Sequence, residues 1–508
     1  MMNVLEWLEA TAKRLPDKVG VADPEDARSF AELRDEARVA GTWLCREVGM
    51  RPRTAVALYL EKSCDALACM LGAVYAGGFY SVLDVRQPEG RIRSICAELQ
   101  PAVVLADEVT VAQAREVLAG TGLRVARLDE VLSGSADDEL LARIRAQATD
   151  IDPLYVNFTS GSTGVPKGVV VSHRSVIDFI PLFVETFGMT EEDVFANQAP
   201  FDFDVSVKDI YSCLLLGARL QLIPRALFTD PSVLMDYLVE TEATTLVWAV
   251  SALCFVSSLH GFEYRVPTHV RRVLFSGEVM PPKQLARWLS YLPDALYVNL
   301  YGPTEITCNC TYYVVDRDFT PAEVIPMGKP FPNERVFLLD ATGHEVREEG
   351  VEGEICVSGT ALALGYLGDA DRTGQAFVQN PLNRRWLEPI YRTGDLACYD
   401  AQGDLVYLSR KDHQIKHLGH RIELGDIEAT AAAAEGVGQA CCLFDARRRR
   451  LHLFYVGEAE HDALAEVLRT TLPPFMMPNR IHRIERMPLT KNGKVDRQKL
   501  AAEAGVKQ

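Results

Sequence analysis

Helix-like and strand-like segments alternate along most of this chain, and that order limits its possible folds more than any other feature. Ala55-Val-Ala-Leu-Tyr-Leu60, Phe79-Tyr-Ser-Val-Leu83 and Ala102-Val-Val-Leu-Ala106 read as short apolar strands, with helical patterns such as Cys64-Asp-Ala-Leu-Ala-Cys-Met-Leu-Gly72 between them. The alternation continues through strands expected at 219–224, 245–250 and 272–276. Strands separated by helices pair in parallel, with the helices covering the sheet faces. A chain of 508 residues exceeds what one core supports, so more than one domain is expected. Beyond about residue 310 the strands shorten and turns separate them, at 335–340, 353–359 and 404–409, which predicts a smaller β-rich subdomain. Residues 411–508 read as a compact α+β tail with helix 424–435, strands 438–444 and 450–456, and helix 460–472.

Charge and composition exclude several functions. A net charge of −17 argues against a nucleic-acid surface, whose footprint is basic. The one strong basic run, Arg447-Arg-Arg-Arg450, reads as a solvated turn between strands, or as a contact for an acidic partner. No apolar run reaches the ~18–20 residues a membrane span needs. The first residues form an acid-bearing amphipathic helix pattern rather than a basic leader. Twelve cysteines are scattered through apolar segments without Cys-x-x-Cys spacing, as expected for buried free thiols in a reducing, cytoplasmic setting.

Tyr155-Val-Asn-Phe-Thr-Ser-Gly-Ser-Thr-Gly-Val-Pro-Lys167-Gly joins a strand to a loop of hydroxyls, glycines and one lysine. Small residues let backbone N–H groups approach phosphate oxygens, hydroxyls add donors and Lys167 adds charge. It fits neither the Walker loop nor the dinucleotide fingerprint. A flexible linker is the alternative, but residues 169–173 look like a second strand. Asn299-Leu-Tyr301-Gly302-Pro-Thr304-Glu305 places an aromatic, an amide, a hydroxyl and a carboxylate on a Gly-Pro turn, groups able to stack on a base, read its edge and reach phosphate and magnesium. Tyr391-Arg-Thr-Gly-Asp395 sets a carboxylate after a glycine turn, where it can accept ribose hydroxyls or act as a turn cap. Arg410-Lys-Asp412-His-Gln-Ile-Lys416 falls where the texture changes, as a domain junction does. Asn492-Gly-Lys494 presents a lysine on a turn, which is otherwise a surface hairpin.

In this order the motifs resemble those of the adenylate-forming enzymes, and within them the amino-acid adenylation domains of nonribosomal peptide synthetases. The likeness is strongest to the stand-alone D-alanine–carrier protein ligases and runs from about residue 5 to 500. It rests also on Gln198-Ala-Pro-Phe-Asp-Phe-Asp204-Val-Ser-Val-Lys-Asp-Ile-Tyr211 and Phe275-Ser-Gly-Glu278-Val-Met-Pro. The resemblance implies an α/β fold. Parallel sheets flanked by helices, with a small β-barrel-like subdomain, would form a large domain over 1–409. A hinge at 410–412 and a small mobile α+β domain over 413–508 would follow. It implies ATP and Mg²⁺ as cofactors. Thr159, Ser160, Gly161, Thr163 and Lys167 would handle pyrophosphate, and Gly277, Glu278, Asn299, Tyr301 and Gly302 would surround adenine. Thr304 and Glu305 would contact phosphate and metal, Asp395 and Arg410 the ribose. Lys494 would bridge substrate carboxylate and adenylate, with Asp412 as the hinge residue. The expected activity is activation of an amino acid as aminoacyl-AMP and its transfer to a phosphopantetheinylated carrier protein, forming a carbon–sulfur bond. No carrier segment follows residue 500, so that acceptor is expected in trans; no nucleic acid or membrane is implied.

By the same resemblance Asp204 would bind an α-ammonium, with Val205, Lys208, Ala249, Leu274, Ser276, Leu300, Cys308 and Asn309 lining the rest of the pocket. A buried ammonium needs a partner. Lys208 would meet an acidic substrate side chain, or pair internally with Asp202, Asp209 or Glu278 and leave a small pocket. The sequence departs from the pattern at Ser409 (usually glycine), at His417, Leu418 and His420 around the hinge, at Ser251-Ala252, and at Ser276, where D-alanine ligases use cysteine. The rival functions are an acyl-CoA synthetase of the same fold, which Asp204 disfavours, and a non-catalytic binding member.

Overall fold

A computed structural model describes residues 1–159, 166–411, 414–489 and 495–506 of the chain. Tertiary contacts divide it into two units. One gathers Met1–Asp84, Leu99–Asn157 and Val169–Lys411; the other gathers Val85–Glu98, Phe158–Gly168 and Asp412–Gln508.

The α/β expectation is borne out in the first unit. A nine-stranded sheet has at its centre the strands Leu296–Tyr301, Arg272–Ser276, Thr245–Ala249, Val194–Asn197, Arg219–Leu222 and Val19–Ala22, all parallel. In a second sheet Phe79–Leu83, Ala55–Tyr59, Val103–Ala106 and Val125–Arg127 also pair in parallel. Ala55–Tyr59, Phe79–Leu83 and Val103–Ala106 are buried at every position. Burial on both faces is why they read as continuous apolar runs rather than alternating ones. Side-chain caps start the crossover helices: Ser63 accepts from Ala66 N–H at the head of Cys64–Tyr75, and Ser172 from Ser175 N–H at the head of His173–Thr186.

The β-rich subdomain is a six-stranded antiparallel sheet that includes Glu334–Leu339, Gly353–Gly359, Pro389–Tyr399 and Leu405–Arg410. Here the glycine-turn reading of Tyr391–Asp395 fails. Gly394 has φ +74°, yet the strand runs on through it. Opposite Gly353–Gly359, the pairing passes from Cys356–Arg392 directly to Glu354–Leu396, so Thr393, Gly394 and Asp395 bulge. A bulge keeps the strand and re-aims one side chain.

In the second unit Val437–Asp445 and Arg450–Gly457 form a hairpin, with Arg480–Arg483 beside it and helices Leu424–Ala432 and His461–Thr471 packed through Ile427, Leu453, Leu464 and Leu468. The first helix ends three residues before the expected 435. Gly436 follows at φ +82°, where a Cβ would lie 2.8 Å from the Ala459 nitrogen. Arg447, Arg448 and Arg450 are exposed at the hairpin end, as a solvated turn requires. All twelve cysteines are free thiols. No helix among the described residues is long and apolar enough to cross a membrane.

His173 is 2% exposed, and its Nδ1 accepts a hydrogen bond from Val4 N–H at 3.4 Å. Burial pushes its pKa down to about 4, against the pull of Asp152 and Asp150. A folded value below the unfolded one means that stability present above the unfolded pKa is lost as pH falls toward 4. Between pH 7 and pH 5 this histidine is expected to withdraw about 2 kcal/mol. His173→Asn should therefore lose less stability over that interval than the wild type, by thermal unfolding at both pH values. Equal losses would show that His173 is not the titrating group.

Candidate functional site

Four parallel strands, Val194–Asn197, Thr245–Ala249, Arg272–Ser276 and Leu296–Tyr301, end at the motif residues. The crevice beyond the carboxyl ends of a parallel sheet is where open α/β folds take ligands. Ala249 and Ser276 lie opposite one another in register at this edge. Gly277 follows at φ +94°, with open space where a Cβ would stand, and half-buried Glu278 comes next.

From the Val194–Asn197 edge the chain passes through Gln198–Phe203 to the helix Val205–Leu216, buried at every position from Val205 to Leu214 and ended by Gly217 at φ +83°. Asp204 stands at the helix start but makes no capping bond, so a local cap does not account for it. Lys208 sits one turn further on the same face. It is 0% exposed, and its ammonium donates to Asn309 Oδ1 at 2.5 Å. Among the described residues no ion pair joins Lys208 to Asp202, Asp209 or Glu278; an amide has the place expected for a carboxylate. Burial holds the ammonium below the usual lysine range, although Cys308, Asp204 and Asp209 favour its charge. Asp209 Oδ2 instead accepts from Asn197 Nδ2 at 2.8 Å, and burial pushes its carboxyl up to about 7.

The opposite wall comes from the turn after Tyr301. Gly302 tolerates no side chain, because a Cβ would lie 2.5 Å from Asn309 Cα and 2.7 Å from the Cys308 carbonyl. Thr307 (φ +51°) and Cys308 (φ +76°) are both left-handed, a costly backbone for non-glycine residues that surrounding structure must enforce. The turn brings Cys308 Sγ to 3.2 Å from the Asp204 carbonyl oxygen. Burial pushes the Cys308 thiol well up, which agrees with lining rather than nucleophilic use. Leu274 and Leu300 are buried in the strands behind.

A second cluster lies at the same sheet edge. Tyr301 donates its hydroxyl to Asp395 Oδ2 at 2.5 Å, and Arg410 Nη1 donates to Oδ1 at 2.5 Å. Asp395 faces Arg410 directly across the strand pair. It is 1% exposed, neither a turn cap nor a solvated carboxylate. Each of its oxygens has one partner and retains a second lone pair. Asn299 Nδ2 donates to the Pro326 carbonyl at 2.7 Å, which leaves the amide oxygen as the acceptor. Glu305 is fully buried beside half-buried Thr304, in the 3₁₀ turn Thr304–Ile306, and accepts from the Tyr366 hydroxyl at 2.9 Å. Among the described residues no three metal-ligating side chains cluster. A single carboxylate nevertheless fits magnesium, which is commonly held by one or two carboxylates together with substrate phosphates.

Of the phosphate loop, Thr159 ends strand Pro153–Thr159, with its Oγ1 buried and no protein partner, and half-buried Lys167 begins strand Lys167–Ser172. Ser160, Gly161, Thr163, Asp412 and Lys494 lie outside the described residues.

Two residues escaped sequence reasoning. Lys62 donates to the carbonyls of Asn197 (2.7 Å), Gln198 (2.9 Å) and Ala199 (3.2 Å), so it tethers the segment that leads to Asp204. Burial holds its pKa down to about 7. Tyr366 orients Glu305. Neither belongs to a local pattern; both act across long sequence separations.

The profile of the AMP-binding enzyme family matches residues 8–367. Tyrocidine synthase 3 of Brevibacillus parabrevis is 35% identical over 504 residues, which is 97% of this chain but only 8% of that protein. Zwittermicin A synthase ZmaJ of Bacillus cereus is 31% identical, with 98% of this chain and 94% of ZmaJ covered. The solved structure of holo-PA1221, an NRPS protein containing adenylation and PCP domains, superposes with a TM-score of 0.84 at 27% identity, over 99% of this chain and 84% of that one.

Proposed function

This chain belongs to the AMP-binding enzyme family as an adenylation domain of the nonribosomal peptide synthetase type, and on that premise we propose that it activates an α-amino acid as aminoacyl-AMP. The acyl group then passes to the phosphopantetheine thiol of a separate carrier protein. The observation that carries the amino-acid reading is Asp204, a carboxylate at the head of a buried helix that does not cap it. The PCP domain of the PA1221 structure supports a carrier as acceptor.

In the first step the substrate carboxylate oxygen attacks the α-phosphorus of ATP, and the bond to pyrophosphate breaks. Two anions must meet, so the protein's work is positioning and charge compensation. Asp204 orients the substrate through its ammonium. Gly277, Glu278, Asn299, Tyr301 and Gly302 flank the base, and Asp395 with Arg410 holds the ribose. Thr159, Ser160, Gly161, Thr163 and Lys167 take the departing pyrophosphate, and Thr304 contacts phosphate. Glu305 would hold Mg²⁺, which when bound would add to the neutralisation of the phosphates. Lys494 compensates charge between the carboxylate and the α-phosphate. In the second step the thiol sulfur attacks the acyl carbon and AMP leaves. We assign residues 1–409 and 413–508 to separate domains that reorient about Asp412 between the steps.

Amino-acid-dependent ATP–pyrophosphate exchange tests the first step, and no exchange with any amino acid would overturn it. Transfer to a phosphopantetheinylated carrier, compared with coenzyme A, tests the second. Lys494→Ala is expected to lower exchange by roughly 10²–10³-fold, the scale of losing one charge-stabilising group. Transfer from supplied aminoacyl-AMP should persist. Equal loss of both steps would refute the domain reorientation.

A further inference from the structure

The depth of the pocket follows from which of its groups can be touched. Asp204 and Ala249 are half-buried, and Val205 and Ser276 keep 7% and 5% of their surface. Further in, Lys208 and Leu274 are 0% exposed and Asn309 is 1% exposed. The Lys208 side chain is thus fully enclosed by protein. The lysine takes up volume one helical turn beyond Asp204, and its bond to Asn309 spans to the opposite wall. Gly302, packed on Asn309 Cα, keeps this wall from backing away.

We infer that the Lys208–Asn309 pair is the floor of the substrate pocket, so the enzyme selects an amino acid with the side chain of glycine, alanine or serine and excludes acidic and branched ones. The inference rests on the reading of Asp204 as the ammonium site. Lys208 then acts as a spacer whose ammonium donates to the Asn309 amide and is favoured by the nearby Asp204 and Asp209 carboxylates, not as a reader of a substrate carboxylate. An acidic side chain would have to displace the Asn309 amide and enter volume the lysine already occupies. Close-packed interiors resist such insertion.

The test is ATP–pyrophosphate exchange by the full chain with glycine, both enantiomers of alanine and serine, and with valine, leucine, aspartate, glutamate and phosphoserine. Exchange is expected with the first group only, falling roughly tenfold or more at valine, since one surplus methylene already discriminates on that scale. Lys208→Ala should improve leucine relative to alanine by at least about tenfold. Lys208→Met keeps the length without the charge and should retain the wild-type preference, which also covers the case in which Lys208→Ala does not fold. Exchange driven by aspartate, glutamate or phosphoserine and lost in Lys208→Met would overturn the floor while leaving the proposed function intact. Exchange with no amino acid at all would overturn the proposed function, and the floor with it.

Discussion

Asp204→Ala is expected to raise the amino-acid KM by roughly 10²–10³-fold, because removing one partner from a desolvated charge pair costs about 2–5 kcal/mol. The ATP KM should stay within about twofold of wild type, since a substrate's remote charge contact contributes binding rather than nucleotide recognition. Asp204 makes no capping bond to the helix Val205–Leu216, so its truncation removes no cap. Asp204→Asn, which keeps shape and acceptor without charge, should fall between the two proteins, because a charge-assisted bond is about twice as strong as a neutral one. Unchanged amino-acid KM in Asp204→Ala would sink the ammonium site. A large drop in melting temperature would return Asp204 to the scaffold.

Asp395→Ala is expected to be the more damaging change to the fold. The Arg410 side chain is 8% exposed and Asp395 2%, so the truncation takes the carboxylate from a guanidinium in a nearly dry site, which keeps its bond to the Thr393 carbonyl, and removes the Asp395 acceptor of the Tyr301 hydroxyl. Breaking a buried pair from one side costs about 3–5 kcal/mol, or a melting decrease on the order of 5 °C for a domain of this size. Exchange activity should fall with it, but that alone does not isolate ribose binding. The double replacement Asp395→Leu with Arg410→Met does. Replacing both partners with apolar groups of similar volume removes the guanidinium together with the carboxylate and should restore much of the stability. If Asp395 also holds the ribose, the ATP KM stays high in this variant. Recovery of both stability and ATP KM would reduce the pair to a structural role.

Lys208 shows why the substrate pocket was only half legible. Asp209 is its neighbour in sequence, yet adjacent residues on a helix do not face each other. Asp209 accordingly turns to Asn197. The partner of Lys208 is Asn309, 101 positions away, delivered by a turn with two left-handed residues that no local pattern announces. The same applies to Gly394. Read locally it is a turn glycine; paired in a sheet it is a bulge that carries Asp395 to Tyr301 and Arg410.

By itself the sequence determined the layered α/β class, the parallel sheets and the chemical identity of the motif residues. These depend on hydrophobic periodicity and on residue types within short windows, where the physical cause is local. Tertiary structure alone decided which charges meet, how deep the pocket runs and which glycine bends rather than turns. Those outcomes depend on burial and on contacts between distant segments. Desolvation raises the cost of an unmatched polar group only once packing has removed the water.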